Sequence, residues 1–197
     1  ESPGFMPKGM NIETPAWTGQ EAWTVSSASL QDGNSIAMPI FSDENAYVAD
    51  GILVASFNTL AFSLSGEKGH FRISLQNARV SAQIAAPSGN TGYRLEQGLI
   101  SGIFPEAEVF RALSTFFASG DVLCNDGGFF YDQTKKALCH AMDVNAQMPN
   151  ASGICNASSF GMRFDAFPAA FCDVKNPVPR TSTCPAGQDP QLDQCAN

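Results

Sequence analysis

The chain has 197 residues and a formal net charge of −8, and charged side chains make up only 15% of it, against ~25% in an ordinary soluble domain. Its Lys and Arg form no basic run, which excludes a phosphate-tracking nucleic-acid surface and electrostatic attachment to an anionic membrane. No stretch approaches the ~20 apolar residues of a membrane-spanning helix, so no transmembrane segment is expected. A chain of this length buries a sizeable core, and its surface must be dressed with Ser, Thr, Asn, Gln and Gly, as in many secreted β-proteins.

Residues 1–33 read as an extended N-terminal segment rich in Pro, Gly, Thr and Ser, with Trp17 and Trp23 exposed and a first strand over Ala22–Leu30. Ile36, Met38 and Ile40 alternate with small or polar residues and predict a strand. Tyr47–Phe57 predicts another, with Asp50-Gly51 as a turn or bulge. Leu60, Phe62 and Leu64, the Gly66–Gly69 turn, then Phe71, Ile73 and Leu75 form the clearest signal, an antiparallel hairpin with one buried face. His70 falls on the opposite, solvated side of that stripe. Ala78, Val80, Ala82 and Ile84 continue the alternation, Pro87–Asn90 turns the chain, and Tyr93–Ile103 makes a further strand. Gly98 and Gly102 mark a bulge or a close backbone approach within it.

One segment has a helical period. Pro105 opens it, Glu106 and Glu108 occupy its first turn, Gly120 closes it, and Val109, Leu113, Phe116 and Phe117 share a face. After Gly127–Tyr131 a strand is expected around Ala137–Val144, then a polar loop over Asn145–Ala157 and a closing strand through Phe160, Met162 and Phe164. The expected fold is mainly β: an antiparallel β-sandwich-like domain over 34–172 with one short amphipathic helix. An irregular Cys- and Pro-containing tail, 173–197, follows it. That tail is too poor in apolar residues to hold a core alone, and Cys184 and Cys195 are expected to pin it.

The six cysteines, Cys124, Cys139, Cys155, Cys172, Cys184 and Cys195, contain no C-x-x-C pair and read as three disulfides of an oxidising compartment. Fifteen pairings are open; nearest-neighbour closure (124–139, 155–172, 184–195) is the simplest. The expected localisation is extracytoplasmic: periplasmic, outer-surface or secreted. The sequence opens on Glu1, and a signal peptide is expected to have been removed or to lie outside it.

No motif carries chemistry. His70 and His140 lack metal-ligand spacing, and no nucleophile elbow, Walker loop or dinucleotide fingerprint occurs, so no catalytic residue, cofactor or metal is assigned. Asp143-Val-Asn145 starts a calcium-type ladder without its Gly and closing Glu, and Asp189 and Asp193 add acidity to the tail. Glu67, Glu96, Asp126 and Asp132 are the carboxylates a hydrolase reading would use. Asn150-Ala-Ser152 and Asn156-Ala-Ser158 are glycosylation sequons. Trp17, Trp23, Tyr47, Tyr93 and Tyr131 are the candidate ligand or partner contacts, since aromatic faces stack on sugars and anchor interfaces.

Two stretches, Gly98–Leu113 (a strand passing into a short helix) and Ser158–Ala170 (a strand ending in an aromatic-x-Ala-x-Pro pattern), resemble uncharacterised exported, β-rich lipoprotein-like proteins of Gram-negative bacterial envelopes. The resemblance spans residues 45–170. It implies an extracytoplasmic β-fold with envelope association and no assigned activity. Where that family carries an Asp-rich D-x-D segment this chain has Asp143-Val-Asn145, a departure that leaves a calcium site unsupported. The expectation is a non-catalytic accessory or binding subunit of a cell-envelope assembly. It would contact protein partners and meet the membrane only peripherally, through them. The alternatives are a carbohydrate- or small-ligand-binding β-sandwich and, behind it, a hydrolase with dispersed carboxylates.

Overall fold

The computed structural model describes residues 22–66, 69–86, 92–114, 117–118, 121–147, 153–176 and 184–195. Trp17 and the rest of residues 1–21, Glu67, the Pro87–Asn90 turn, Phe116, Gly120 and the Asn150–Ser152 sequon lie outside the described residues, as does the side chain of His70. The chain is mainly β, in the order β1 (Ala22–Ser26), β2 (Tyr47–Ala49), β3 (Ile52–Gly66), β4 (Gly69–Ala85), β5 (Arg94–Pro105), α1 (Glu106–Leu113), β6 (Phe117–Ala118), β7 (Asp121–Val122), α2 (Phe129–His140), β8 (Ala157–Ala166) and β9 (Ala170–Lys175). Strands β2-β3-β4-β5-β8 form one five-stranded sheet in that order. Strands β1 and β9 form a separate pair that is parallel, and β6 with β7 makes a small antiparallel hairpin.

Turn chemistry fixes the sheet's start. Asp50 and Gly51 both take positive φ, 50° and 78°, which a two-residue type I′ hairpin demands and Asp-Gly supplies cheaply. The register follows: Ala49 opposite Ile52, Val48 opposite Leu53, Tyr47 opposite Val54. At the other side of β3, Ile84 N–H donates to the Gly51 carbonyl at 2.8 Å, while only two residues join the distal ends of β3 and β4. The two long strands therefore run antiparallel.

Strand β4 buries Ile73 and Leu75 and exposes Arg72 and Gln76, as alternation predicts. Asn77 then sits at φ 49°, and the buried set continues with Ala78 and Ala82. One extra residue in the left-handed region shifts the inward phase from odd to even numbers, the effect of a β-bulge. In β5, Gly98 and Gly102 are close-approach positions. A Cβ on Gly98 would lie 2.5 Å from the Phe164 ring, and one on Gly102 would lie 3.1 Å from both the Leu75 Cβ and the Gln76 carbonyl oxygen. Phe164 thus covers the bare backbone of its neighbouring strand.

The chain divides into two compact units, each assembled from three segments: Glu1–Phe57, Arg79–Ile100 and Met162–Val178 in the first, and Asn58–Ala78, Ser101–Gly161 and Pro179–Asn197 in the second. In the first unit β1 and β9 pair with Trp23 opposite Phe171, and Ser27 Oγ donates to Asn176 Oδ1 at 2.8 Å. In the second, Phe110, Leu113, Leu123 and Tyr131 form a buried cluster, with Leu138, Cys139 and Cys195 packed against it. Edge-to-face contacts link Phe71 to Phe104, Phe104 to Phe160, and Phe62 to Phe160 at centroid separations of 6.1–6.3 Å.

Four expectations are corrected. Ile36, Met38 and Ile40 are not in a strand. Asp32 Oδ1 accepts from the Asn34 and Ser35 amides, Gln31 N–H donates to the Met38 carbonyl, and the segment closes into turns with all three apolar side chains exposed. The helix after Pro105 ends at Leu113, where buried Ser114 returns its hydroxyl to the Arg111 carbonyl, and Phe117 belongs to β6. A second helix, α2, replaces the strand expected around Ala137–Val144. Its inward side chains, Tyr131, Leu138 and Cys139, are too few to impose a visible period on the polar run Asp132–Lys136. Finally, the disulfides are Cys124–Cys184 and Cys139–Cys195, and Cys155 and Cys172 are exposed free thiols. Nearest-neighbour closure fails because Cys139 on α2 faces the core cluster, where the tail delivers Cys195. The tail is pinned as expected, by both of its cysteines.

Candidate functional site

The described aromatic candidates belong to separate elements. Trp23 is half-buried in β1, while Tyr47 in β2 and Tyr93 before β5 are exposed. Tyr131 is 1% exposed and offers no stacking face, which removes it as a ligand or partner contact. Burial pushes its phenol well above the ordinary tyrosine range, and the hydrogen bond to Asp193 adds to that shift.

Three of the carboxylates singled out in the sequence are engaged locally. Glu96 pairs with Arg94 at 2.6 Å, and Asp126 accepts the Gly128 amide at 2.7 Å. Asp132 sits in the first turn of α2. Both oxygens of Asp143 are taken by Ser159, from its amide at 2.6 Å and its hydroxyl at 2.5 Å. These bonds hold Asp143 below the usual carboxylate range and turn the start of the Asp143-Val-Asn145 ladder into a strand tether. No group of three or more His, Cys, Asp or Glu converges among the described residues. His140 ends α2, exposed to solvent.

Two surfaces stand out. In the first unit, Ile36, Met38, Ile40, Tyr47, Val48 and Ile52 are all between 44% and 58% exposed, an unusual density of apolar surface for one short stretch. Asp43 fastens this stretch to β3: its Oδ2 accepts from the Ser56 amide at 2.7 Å, and its Oδ1 from that of Asn45 at 2.9 Å. β2 is an edge strand of the sheet. In a type I′ hairpin the residues flanking the turn exchange both hydrogen bonds, so Val48 turns its own N–H and C=O to the open edge. Asp32, Asp43, Glu44 and Asp50 fringe the stretch, and the sequence has no Lys or Arg between Lys8 and Lys68.

In the second unit, the tail returns to α2 through Asp193. Its carboxylate accepts from Lys135 Nζ at 2.7 Å, Tyr131 Oη at 2.9 Å and Asn125 Nδ2 at 3.1 Å. Burial alone would raise the pKa of Asp193. The Lys135, Gln194 amide and Tyr131 hydrogen bonds outweigh that and hold it below the ordinary value. Beside this junction, Cys195 N–H donates to Glu106 Oε1, and Glu106 N–H donates to the Asn156 carbonyl at 3.0 Å. Asn156 Oδ1 in turn accepts the Ala146 amide at 2.8 Å, and Asn145 Oδ1 accepts that of Gln147 at 3.0 Å. These contacts frame two overlapping concavities of about 430 and 440 Å³ that share Glu106, Gln147, Asn156 and Gln194.

Among known proteins, no family model, no curated protein and no solved structure matches this chain. The site residues must therefore be read from their own chemistry. Asp193 and Tyr131 were both singled out in the sequence, but their meeting with Lys135 and Asn125 was not, because the partners stand 58–68 residues from Asp193 with no local pattern to announce the contact. The groove escaped it because its carboxamides sit in a loop whose Asn and Gln look like ordinary solvated surface.

Proposed function

We propose that this protein is a non-catalytic, extracytoplasmic binding or accessory subunit that docks a protein partner at the edge-strand region of residues 36–52. The observation that carries this reading is the exposed set Ile36, Met38, Ile40, Tyr47, Val48 and Ile52 beside an edge strand. Single exposed apolar residues are normal, but six within residues 36–52, at an open strand edge and flanked by acidic residues in the sequence, favour an interaction region. The acidic fringe favours a partner with Lys or Arg around an apolar centre, because like charges across the rim would be repelled.

Two disulfides are at home in an oxidising compartment, and no described helix is long and apolar enough to cross a membrane. The resemblance to exported envelope proteins of Gram-negative bacteria points to the same setting, with the membrane reached through partners. A sandwich-like arrangement of the sheets belongs to the same reading.

The test is gentle extraction from the source cells followed by native mass spectrometry, for the parent chain and for a Tyr47→Lys/Val48→Asp double variant. Both positions are exposed, so the variant should fold. A stoichiometric complex carried by the parent and lost by the variant is the expected result. A parent recovered only as a free monomer, or a complex indifferent to both substitutions, rejects the docking face.

A further inference from the structure

The groove in the second unit is lined by an uncommon set of groups: Gln76, Asn145, Gln147, Asn156 and Gln194, all carboxamides, with Glu106 as the carboxylate among them. A carboxamide brings two donors and an acceptor without charge. Among the described residues no Lys or Arg lines either concavity, so an anionic ligand would find no counter-charge from them. Asp193 at the margin is already satisfied by Lys135, which leaves Glu106, among the described lining residues, as the carboxylate without a paired cation. A single carboxylate with one oxygen committed to the Cys195 amide is a poor cation site and a good acceptor for hydroxyl groups.

We propose that this groove binds a neutral saccharide, reading its hydroxyl groups through the carboxamides and Glu106. Each sugar hydroxyl is both donor and acceptor, which matches side chains that are also both. A peptide fits less well: its side chains need apolar pockets, and the chief exposed apolar wall here is Ile154, 67% exposed, suited to the C–H face of one sugar ring. The volume of about 430 Å³ falls within the ~300–1,000 Å³ of small-ligand sites.

The frame is also fixed in advance. Cys195 is tied to Cys139, Glu106 to Cys195 and Asn156, and Asn156 to Ala146, so ligand binding needs to order only the pendant Gln side chains. This moves sugar recognition from the aromatic residues, one of which is buried, to an amide-lined cleft. The inference is independent of the partner-docking face, which belongs to the other compact unit.

The experiment uses the whole oxidised chain, isotopically labelled, and follows side-chain amide resonances while cellobiose and N,N′-diacetylchitobiose are added in turn. Glucuronate and inorganic phosphate serve as charged controls. The expected result is saturable movement of the Gln147, Gln194 and Asn156 amide signals with at least one neutral disaccharide and none with the charged probes. Gln147→Ala and Gln194→Ala, both at exposed positions, should each weaken that binding about fivefold with the remaining spectrum unchanged. No movement at tens of millimolar sugar overturns the proposal, as does equal movement with phosphate or an affinity that neither variant alters. The Tyr47→Lys/Val48→Asp variant should titrate like the parent, so failure of the docking face and failure of the groove are told apart.

Discussion

Replacing Asp193 by Asn tests the junction that joins the tail to the helices. The substitution keeps the shape and removes the charge. The carboxylate receives Lys135, Tyr131 and Asn125, and its side chain is 13% exposed against 28% for that of Lys135. In the variant one oxygen becomes an NH₂, and it must face a donor, Lys135 Nζ or Asn125 Nδ2. Breaking a fully buried pair costs about 3–5 kcal/mol, and partial exposure of both partners reduces this to roughly 2–3 kcal/mol. At ~2–4 °C per kcal/mol for a chain of this size, the oxidised protein should melt roughly 4–12 °C lower at pH 7. The pH dependence adds a second constraint. The folded pKa of Asp193 is depressed, so its stabilising share is full above the unfolded carboxylate range and is lost as pH falls through the folded value. The gap between parent and variant should therefore be constant from pH 7 down to about 5 and close below the ordinary carboxylate pKa of ~3.9. Thermal and urea unfolding followed by circular dichroism across that range measures both. A variant within ~0.5 kcal/mol of the parent at pH 7, or a gap that persists at acid pH, refutes the junction's role.

Other outcomes follow from the same geometry. The intact oxidised chain should weigh about four mass units less than its reduced form, two per disulfide, and a maleimide should label Cys155 and Cys172 without prior reduction. A six-unit difference and no labelling would restore a third disulfide. Replacing both Cys139 and Cys195 by Ser opens a loop with a sequence separation of 56 and should cost about 4 kcal/mol by loop entropy, read from urea midpoints. Gly102→Ala must push against the Leu75 Cβ and the Gln76 carbonyl, so a loss of about 1–3 kcal/mol is expected. Asn77→Gly should be neutral or slightly stabilising, whereas Asn77→Val should cost about 1–3 kcal/mol, because a β-branched residue is strained at positive φ.

Local chemistry was legible in the sequence, and long-range closure was not. Asp50-Gly51 announced its turn, the Phe71–Leu75 stripe its buried face, Gly98 and Gly102 their close approaches, and Pro105 with Glu106 and Glu108 the start of α1. Each depends on neighbours a few residues away. The period of Ile36, Met38 and Ile40 misled, because alternation says only that a segment suits a half-buried strand, and the Asp32 turn claimed the backbone first. α2 was invisible for the opposite reason, as its buried side consists of three side chains in twelve residues. Disulfide pairing and the Asp193 contacts depend on where separate segments meet, information that spacing does not hold.

The tail shows why composition alone was half right about it. Residues 184–195 contribute little hydrocarbon, yet the cluster of Phe110, Leu113, Leu123 and Tyr131 is closed on one side by Cys195 from that tail and Cys139 from α2. Buried Pro190 in the short 3₁₀ turn Pro190–Leu192, capped by Asp189, holds the approach. The four buried side chains of this cluster are joined by buried Val109 and Ala112 of α1, but the polar tail adds little apolar area to set against the entropy of ordering it. Covalent closure offsets part of that cost by restricting the unfolded chain, and the Asp193 contacts then set the tail's register against α2. The same closure places Glu106 and Gln194 side by side, so the disulfide that completes the core also builds the groove. Reduction should therefore abolish the proposed sugar binding in the second unit, while the proposed docking face of the first, which contains neither disulfide, should keep its binding activity; titration and native mass spectrometry of the reduced chain check the two.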